Sequence, residues 1–221
     1  MIRLADVSFA YPGGAFRLAI PRLEIEDGAR VAVKGPSGTG KTTLLNLIAG
    51  LATPDAGRIT VGDTEISALP DAARRAFRAA EIGFVFQDFA LMDYLSAREN
   101  ILYPFRIAAG LALTPDVRAR ADALATACGL GDKLARHPAA LSRGEQQRVA
   151  LARALVTEPR LILADEATGN LDPVNKTAIL DLMFARAEAA GATLLAVTHD
   201  HELLPRFDRV IDFAALQETA A

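Results

Sequence analysis

The amino-acid sequence predicts an α/β fold with a mixed core sheet, an antiparallel β part at the start of the chain and an inserted helical subdomain. A glycine-rich loop joins an apolar strand to a helix near residue 40, and strand and helix patterns alternate again after residue 139. The stretch between is rich in Ala, Leu and Arg and contains no convincing strand. We therefore expect a single domain over residues 1–221, with a core at 1–87 and 139–213, a helical insert at about 88–138 and a frayed tail at 214–221.

The elements follow from local patterns. Residues 2–11 alternate loosely between apolar and polar side chains, a turn of proline and glycines follows, and residues 16–25 continue as a second strand. The later patterns predict a strand pair at 57–65, a helix at 69–80, a buried strand at 81–87, a helix at 144–156, a strand at 160–164, a helix at 173–190, a strand at 192–198, and a short helix before a last strand at 209–213.

The loop after the third strand contains the pattern of a phosphate-binding loop: glycine, four residues, then Gly-Lys-Thr. Its glycines allow backbone N–H groups to turn inward around an anion, at the positive end of the following helix. Lys41 adds a charge for the terminal phosphates, and the Thr42 hydroxyl is placed to bind Mg²⁺. A glycine-rich turn beside a surface lysine is the alternative, and the flanking strand and helix argue against it. The residues predicted to bind a nucleoside triphosphate here are Gly35, Pro36, Ser37, Gly38, Thr39, Gly40, Lys41, Thr42 and Thr43.

Composition narrows the classes of partner. The net charge is −3, whereas domains that bind nucleic acid usually carry a basic surplus, so we expect no nucleic-acid partner. Cys128 is the only cysteine, which excludes an intrachain disulfide and a cysteine-based metal site and fits a reducing compartment. The start of the chain does not resemble a signal peptide, and no apolar run approaches the roughly 20 residues that span a bilayer. We expect a soluble intracellular protein.

An acidic pair ends the apolar strand predicted at 160–164. Asp165 and Glu166 would lie at its carboxyl end, where α/β sheets bind ligands. Asp165 would hold Mg²⁺, directly or through water, opposite Thr42, and Glu166 would polarise the water that attacks the γ-phosphate. Such a pair alone often caps a helix, but the phosphate-binding loop favours the catalytic interpretation.

The run LSRGEQQR at 141–148 resembles the signature motif of ABC-type ATPases. Further motifs follow in the order of that family, and the resemblance covers essentially the whole chain. The run ADEATGNLD at 164–172 looks most like ATPases that serve lipoprotein-releasing and macrolide-exporting permeases. The other matching positions are Tyr11, Gln87, the segment 169–172 and His199.

The resemblance implies a P-loop NTPase fold of ABC type and a role for each matching residue. Tyr11 would stack on adenine, and Gln87 would reach Mg²⁺ and sense the γ-phosphate. His199 would hydrogen-bond that phosphate, which makes Glu166, His199 and Lys41 the predicted catalytic residues. Asp172 would lie in a loop at the dimer interface. The signature residues predicted to contact ATP of the partner subunit are Ser142, Arg143, Gly144 and Glu145.

Several of these positions have simpler alternatives. Tyr11 could pack on the core, and Ser142 with Glu145 forms a capping box that could merely start a helix. His199 and His201 could suggest a metal site, but the third histidine is far off in sequence, so we discount one. The usual signature has glycine where Arg143 stands and glutamine where Glu145 stands, which makes the strength of the contact with the partner's ATP an open question.

The resemblance implies an ATP-binding subunit that hydrolyses ATP with Mg²⁺ in a head-to-tail homodimer and drives a separate integral membrane permease. Such a subunit is cytoplasmic and peripheral on the cytoplasmic face of the membrane. The alternative is a soluble ABC-type ATPase acting on nucleic acid or ribosomes, and a P-loop kinase is disfavoured by the signature. We expect the permease to bind the region about 88–107, where large apolar residues follow Gln87: Phe89, Leu91, Met92, Tyr94 and Leu95.

Overall fold

The computed structural model describes residues 1–14, 16–169, 171 and 173–218. In chain order its main elements are β1 (Ile2–Ala10), β2 (Arg17–Ile25), β3 (Arg30–Lys34), α1 (Lys41–Ile48), β4 (Ala56–Val61), β5 (Thr64–Glu65), α2 (Asp71–Glu81), β6 (Ile82–Val85), α3 (Ala97–Ile101), α4 (Pro104–Ile107), α5 (Pro115–Ala127), α6 (Arg143–Leu155), β7 (Leu161–Asp165), α7 (Pro173–Ala190), β8 (Thr193–Val197), β9 (Arg209–Asp212) and α8 (Phe213–Glu218). The predicted α/β class, with antiparallel and parallel parts and a helical region between, is confirmed.

The antiparallel sheet has the strand order β2-β1-β4-β5. Ile2 pairs with Ile25 on one side and with Val61 on the other. The register between β1 and β4 shifts between Ala5 and Ser8, and Asp6 there has a φ of 51°. The extra residue is a β-bulge, which is how a strand changes its twist without losing its pairing. The predicted strand pair at 57–65 is present as β4 and β5.

The parallel sheet has the order β6-β7-β8-β3-β9, and every residue of β7 and β8 is buried. Continuous apolar strands are typical of parallel sheets covered on both faces. Leu161 and Leu163 face a core shared with α1 and the antiparallel sheet, whereas Ile162 and Ala164 face a core shared with α6 and α7. The carboxyl ends of β3, β6, β7 and β8 therefore lie along one edge, each followed by a predicted site residue.

The helical region lies between β6 and α6. Its entry is fixed by Asn100, a fully buried side chain whose amide nitrogen donates to the carbonyls of Met92, Leu95 and Ser96. Its amide oxygen accepts from the Met92 N–H at 2.8 Å. Ser96 and Glu99 form the predicted capping box at the start of α3. One asparagine thus satisfies four backbone groups between Met92 and Ser96, which explains an amide in an apolar core.

The end of the chain differs from expectation. The tail predicted to fray from residue 214 is helical, because α8 runs from Phe213 to Glu218 and residues 219–221 lie outside the described part. Phe213 is fully buried and Leu216 packs against the same core. Burying these two apolar side chains stabilises a short helix that sequence propensity alone would not support. The bounds of α7 match the predicted 173–190, and the other strand and helix bounds differ from the predicted ones by at most two residues.

Candidate functional site

The loop between β3 and α1 has the conformation that its glycines permit. Gly40 has a φ of 108°, and a Cβ there would approach Cζ of Phe16 to 2.6 Å, so both the backbone and the neighbouring ring require glycine. Among the described residues, no side chain caps the start of α1. Its first N–H groups are therefore available to an anion.

Lys41 lies over this loop. Its Nζ donates to the carbonyl oxygens of Gly35 at 2.8 Å and Pro36 at 2.6 Å. The side chain is buried, so these carbonyls hold the ammonium group where a phosphate bound in the loop would meet it. A buried, hydrogen-bonded lysine is a fixed positive charge, which is what binding of terminal phosphates requires.

Asp165 ends β7 and faces Thr42. Burial raises the pKa of the Asp165 carboxyl, while the hydrogen bond with the Thr42 side chain and the charge of Lys41 lower it. A threonine hydroxyl, a buried carboxylate and the amide oxygen of Gln87 are oxygen ligands that suit Mg²⁺. Among the described residues, no group of three or more His, Cys, Asp or Glu side chains could hold a metal. A cation here would thus share its remaining positions with phosphate and water.

These residues surround one cavity of about 430 Å³. Tyr11 and Phe16 form one part of its wall, and the phosphate-binding loop and the acidic pair form another. The structure therefore brings the predicted loop, Gln87 and both carboxylates together. The cavity is lined by Tyr11, Phe16, Ser37, Gly38, Gly40, Lys41, Thr42, Thr43, Gln87, Asp165, Glu166 and Val197.

Glu166 has an unusual backbone. Its φ is 52°, a conformation that costs a non-glycine residue of order 1–3 kcal/mol. Its N–H donates to the Val197 carbonyl at 3.0 Å, which ties it to the end of β8. Nδ1 of His199 lies 2.5 Å from Oε2 of Glu166 and donates to it, since a carboxylate only accepts. His199 therefore meets Glu166 beside the cavity.

The wall that would face a nucleobase contains an aromatic residue that we did not predict. The Tyr11 hydroxyl lies 3.1 Å from the Thr43 Oγ1, which fixes its ring above α1. The Phe16 ring lies 5.9 Å from it, centroid to centroid, at an interplanar angle of 41°. The only sequence signal for Phe16 is its position as the first large apolar residue after the turn.

The loop that follows Gln87 is held by a buried cation that we also did not predict. Phe89 and Ala90 have φ values of 65° and 45°, and their carbonyls each accept a 2.5 Å hydrogen bond from the guanidinium of Arg153. Burial lowers the pKa of Arg153 to about 10. Hydrogen bonds to a charged group contribute about 1.5–3 kcal/mol each, which is enough to offset strain of about 1–3 kcal/mol at each left-handed residue.

The signature residues lie at the start of α6 and line no part of this cavity in the described chain. Ser142 and Glu145 form a capping box, and Glu145 also accepts from Lys133 Nζ at 2.8 Å. The hydrogen bond with Lys133, together with those from Ser142, lowers the pKa of Glu145 to about 2. Arg143 is exposed, so the start of α6 presents a positive charge to solvent. Asp172 lies outside the described residues.

A second, mainly apolar groove of about 570 Å³ lies between α2, α4 and the loop after Gln87. Met92, Tyr103 and Ile107 line it, together with Arg153. The predicted contact residues divide: Phe89 and Leu95 are buried in the core, whereas Tyr94 is 72% exposed outside the groove. Of the five predicted contact residues, Met92 lines the groove, Tyr94 is exposed but does not line it, and Leu91 packs partly buried against the core.

The described part of the chain contains no helix that is long and apolar enough to cross a membrane.

The family model for the ABC transporter matches residues 18–169. The chain is 45% identical over 190 residues to the lipoprotein-releasing system ATP-binding protein LolD of Pseudomonas fluorescens, covering 86% of this chain and 83% of that protein. It is 39% identical to the macrolide export ATP-binding/permease protein MacB of Syntrophobacter fumaroxidans, covering 96% of this chain but 30% of that protein. A solved dimeric cassette, MJ0796 bound to ADP and Pi, superposes with a TM-score of 0.88 at 34% identity, covering 96% of this chain and 94% of that one.

Proposed function

The chain belongs to the ABC transporter family, as an ATP-binding subunit with ATPase activity, and we propose that it hydrolyses MgATP at two composite sites of a head-to-tail homodimer to drive a separate membrane permease. The observation that carries the proposal is the cavity that joins Lys41, Thr42, Asp165 and Glu166. The soluble alternative, an ATPase acting on nucleic acid or ribosomes, is not favoured by relatives whose names describe lipoprotein release and macrolide export.

The nucleotide would lie along the cavity with its base toward Tyr11 and Phe16 and its phosphates in the loop. The N–H groups at the start of α1 and the Lys41 ammonium group would bind the phosphates. The Thr42 hydroxyl, the Asp165 carboxylate and the Gln87 amide would hold Mg²⁺, which when bound neutralises phosphate charge and fixes its geometry.

Glu166 would orient the attacking water and accept its proton. The contact with His199 fixes one carboxylate oxygen, so the other is left for water. The hydrogen bond from its N–H to Val197 sets the backbone from which the side chain reaches the cavity. Positioning of this kind, rather than covalent chemistry, supplies most of the rate enhancement in phosphoryl transfer.

The second half of each site would come from the partner subunit. Ser142, Arg143 and the Gly144 N–H lie at a helix start, which binds anions, yet they do not line the cavity of their own chain. The charge of Glu145 is already paired with Lys133, so it does not oppose Arg143. The departure from the usual signature therefore leaves a net positive charge for the partner's γ-phosphate.

The permease would bind the apolar groove beside Met92, within the region 88–107. The groove is continuous with the loop that carries Gln87, so a change at the γ-phosphate moves a surface in contact with the permease. Methionine and aromatic side chains bury much area and adapt in shape, which suits a short helix from a partner. We propose that the subunit lies on the cytoplasmic face of the membrane, as its resemblance to ATP-binding subunits of transporters implies.

The test of catalysis is Glu166→Gln. The phosphate-binding residues are unchanged, so the variant should bind MgATP with near wild-type affinity. Turnover should fall by about 10²–10⁴-fold, the usual cost of losing a positioned base. ATP should then hold the dimer together, which gel filtration with and without MgATP measures. Hydrolysis within a few-fold of wild type would show that Glu166 is not the base.

A further inference from the structure

The imidazole of His199 is not positioned by packing. Its side chain is 70% exposed, and its Nδ1 contacts Oε2 of Glu166. An exposed side chain samples several rotamers, so the contact between His199 and Glu166 depends on the backbone holding the Cα of His199 where one of those rotamers reaches the carboxylate.

Hydrogen bonds hold the residues on both sides of His199, Thr198 and Asp200. The Thr198 N–H donates to the Val33 carbonyl at 3.2 Å, which ties it to the strand before the phosphate-binding loop. On the other side, the Asp200 N–H donates to Thr198 Oγ1 and Asp200 Oδ1 accepts from the Glu202 N–H, each at 3.1 Å. These two bonds close a tight turn, but they are local and do not connect that turn to the rest of the domain.

Lys176 connects Asp200 of this turn to α7. Its Nζ donates to Asp200 Oδ2 at 2.7 Å across 24 residues, from the first turn of α7. The side chains are 26% and 15% exposed, so the pair is more protected from solvent than a surface ion pair. The hydrogen bond with Lys176 also lowers the pKa of Asp200, as expected of a close contact.

We infer that the Lys176–Asp200 ion pair is a positioning device that anchors the His199 loop to α7 and so holds His199 against Glu166. The inference rests on the proposed function, because it requires Glu166 to act on ATP. α7 begins at Pro173, directly after Asp172, which the resemblance to ABC-type ATPases predicts in a loop at the dimer interface. If that prediction holds, the pair would connect the interface end of α7 to the catalytic glutamate through His199.

The predicted kinetic signature is a split between kcat and KM. Lys176 and Asp200 touch no part of the phosphate cavity, so nucleotide binding should not depend on them. Lys176→Met should lower kcat about tenfold, since a misplacement of about 1 Å can cost up to 100-fold, with KM changed less than about twofold. Lys176→Arg, which keeps the charge and a donor, should recover most of the rate.

The matched control is Asp181→Asn. Asp181 also lies on α7 and also forms an ion pair, with Arg206, across 25 residues. This variant should leave kcat unchanged, and thermal melting of both variants should reveal any general loss of stability. If Lys176→Met and Asp181→Asn lower kcat equally, the pair is structural and the inference is wrong.

The decisive step is a double-mutant cycle with His199→Ala. If Lys176 acts through His199, Lys176→Met should cause no further loss of kcat in the His199→Ala background. A loss of the same factor in both backgrounds would overturn the inference. The proposed function fails separately: it is wrong if wild-type protein lacks ATPase activity or Glu166→Gln keeps it, whatever Lys176 does.

Discussion

At the scale of single residues, the aromatic side of the cavity has two rings. Tyr11 is fixed by Thr43, and Phe16 lies beside it and against Gly40. In the described part of the wall these two side chains offer large apolar faces to a base. A base stacked between or upon them would gain affinity without a change in the position of its phosphates.

We therefore predict that Phe16→Ala raises KM for ATP with little change in kcat. Aromatic contacts contribute about 0.5–1.5 kcal/mol beyond area burial, so the increase should be roughly two- to tenfold. Phe16→Leu, which keeps an apolar wall, is the control and should show a smaller increase. Steady-state ATPase measurements over a range of ATP concentrations separate the two parameters, and a fall in kcat at constant KM would contradict the assignment.

Single residues also show what sequence could and could not predict. Lys41, Thr42, Asp165 and Glu166 were predictable, because each follows a strand within a local pattern and parallel strands end at one edge. Phe16 and Arg153 were not. The role of Arg153 depends on carbonyls 63 and 64 residues earlier in the chain, and no local pattern records that distance.

At the scale of elements, the apolar side chains that follow Gln87 could either pack into the core or line a groove at the surface. The sequence did not decide between the core and the surface, because the run is a loop stabilised by Asn100 and Arg153, and loop side chains follow no regular period. Packing settles it: Phe89 and Leu95 enter the core, and Met92 stays at the groove. The helical tail was missed for a related reason, since burial of Phe213 rather than propensity stabilises it.

The groove gives the prediction that belongs to this scale. Met92→Glu or Ile107→Glu should place a charge on the apolar lining. A bound partner helix would bury this charge at a large cost in free energy, whereas in the free subunit the charge stays in contact with water. The ATPase activity of the isolated subunit should stay within about twofold, whereas co-purification of the tagged subunit with the permease from detergent-solubilised membranes should be lost.

The matched control for the groove is Ala119→Glu, at an exposed position of the same helical region outside the groove lining. It should leave co-purification intact. If the permease still co-purifies with the groove variants, or if Ala119→Glu also abolishes co-purification, the docking surface lies elsewhere.

At the scale of the whole molecule, the predicted site is divided. The phosphate-binding loop and both carboxylates surround one cavity, and the signature residues lie at a helix start that lines no part of it. Sequence order could not reveal this division, because both sets of motifs occur in one chain. A second copy of the chain, as in the dimeric neighbour, supplies the missing half in the proposed arrangement.

The most direct measurement of that arrangement mixes two inactive variants, Lys41→Ala and Ser142→Arg. A mixed dimer keeps one intact composite site, with Lys41 from one chain and Ser142 from the other. About half of the dimers should be mixed and each should keep one of two sites, so ATPase activity should recover to about a quarter of the wild-type value. Recovery should grow with protein concentration. Activity that stays equal to the sum of the separate variants at every concentration would contradict composite sites.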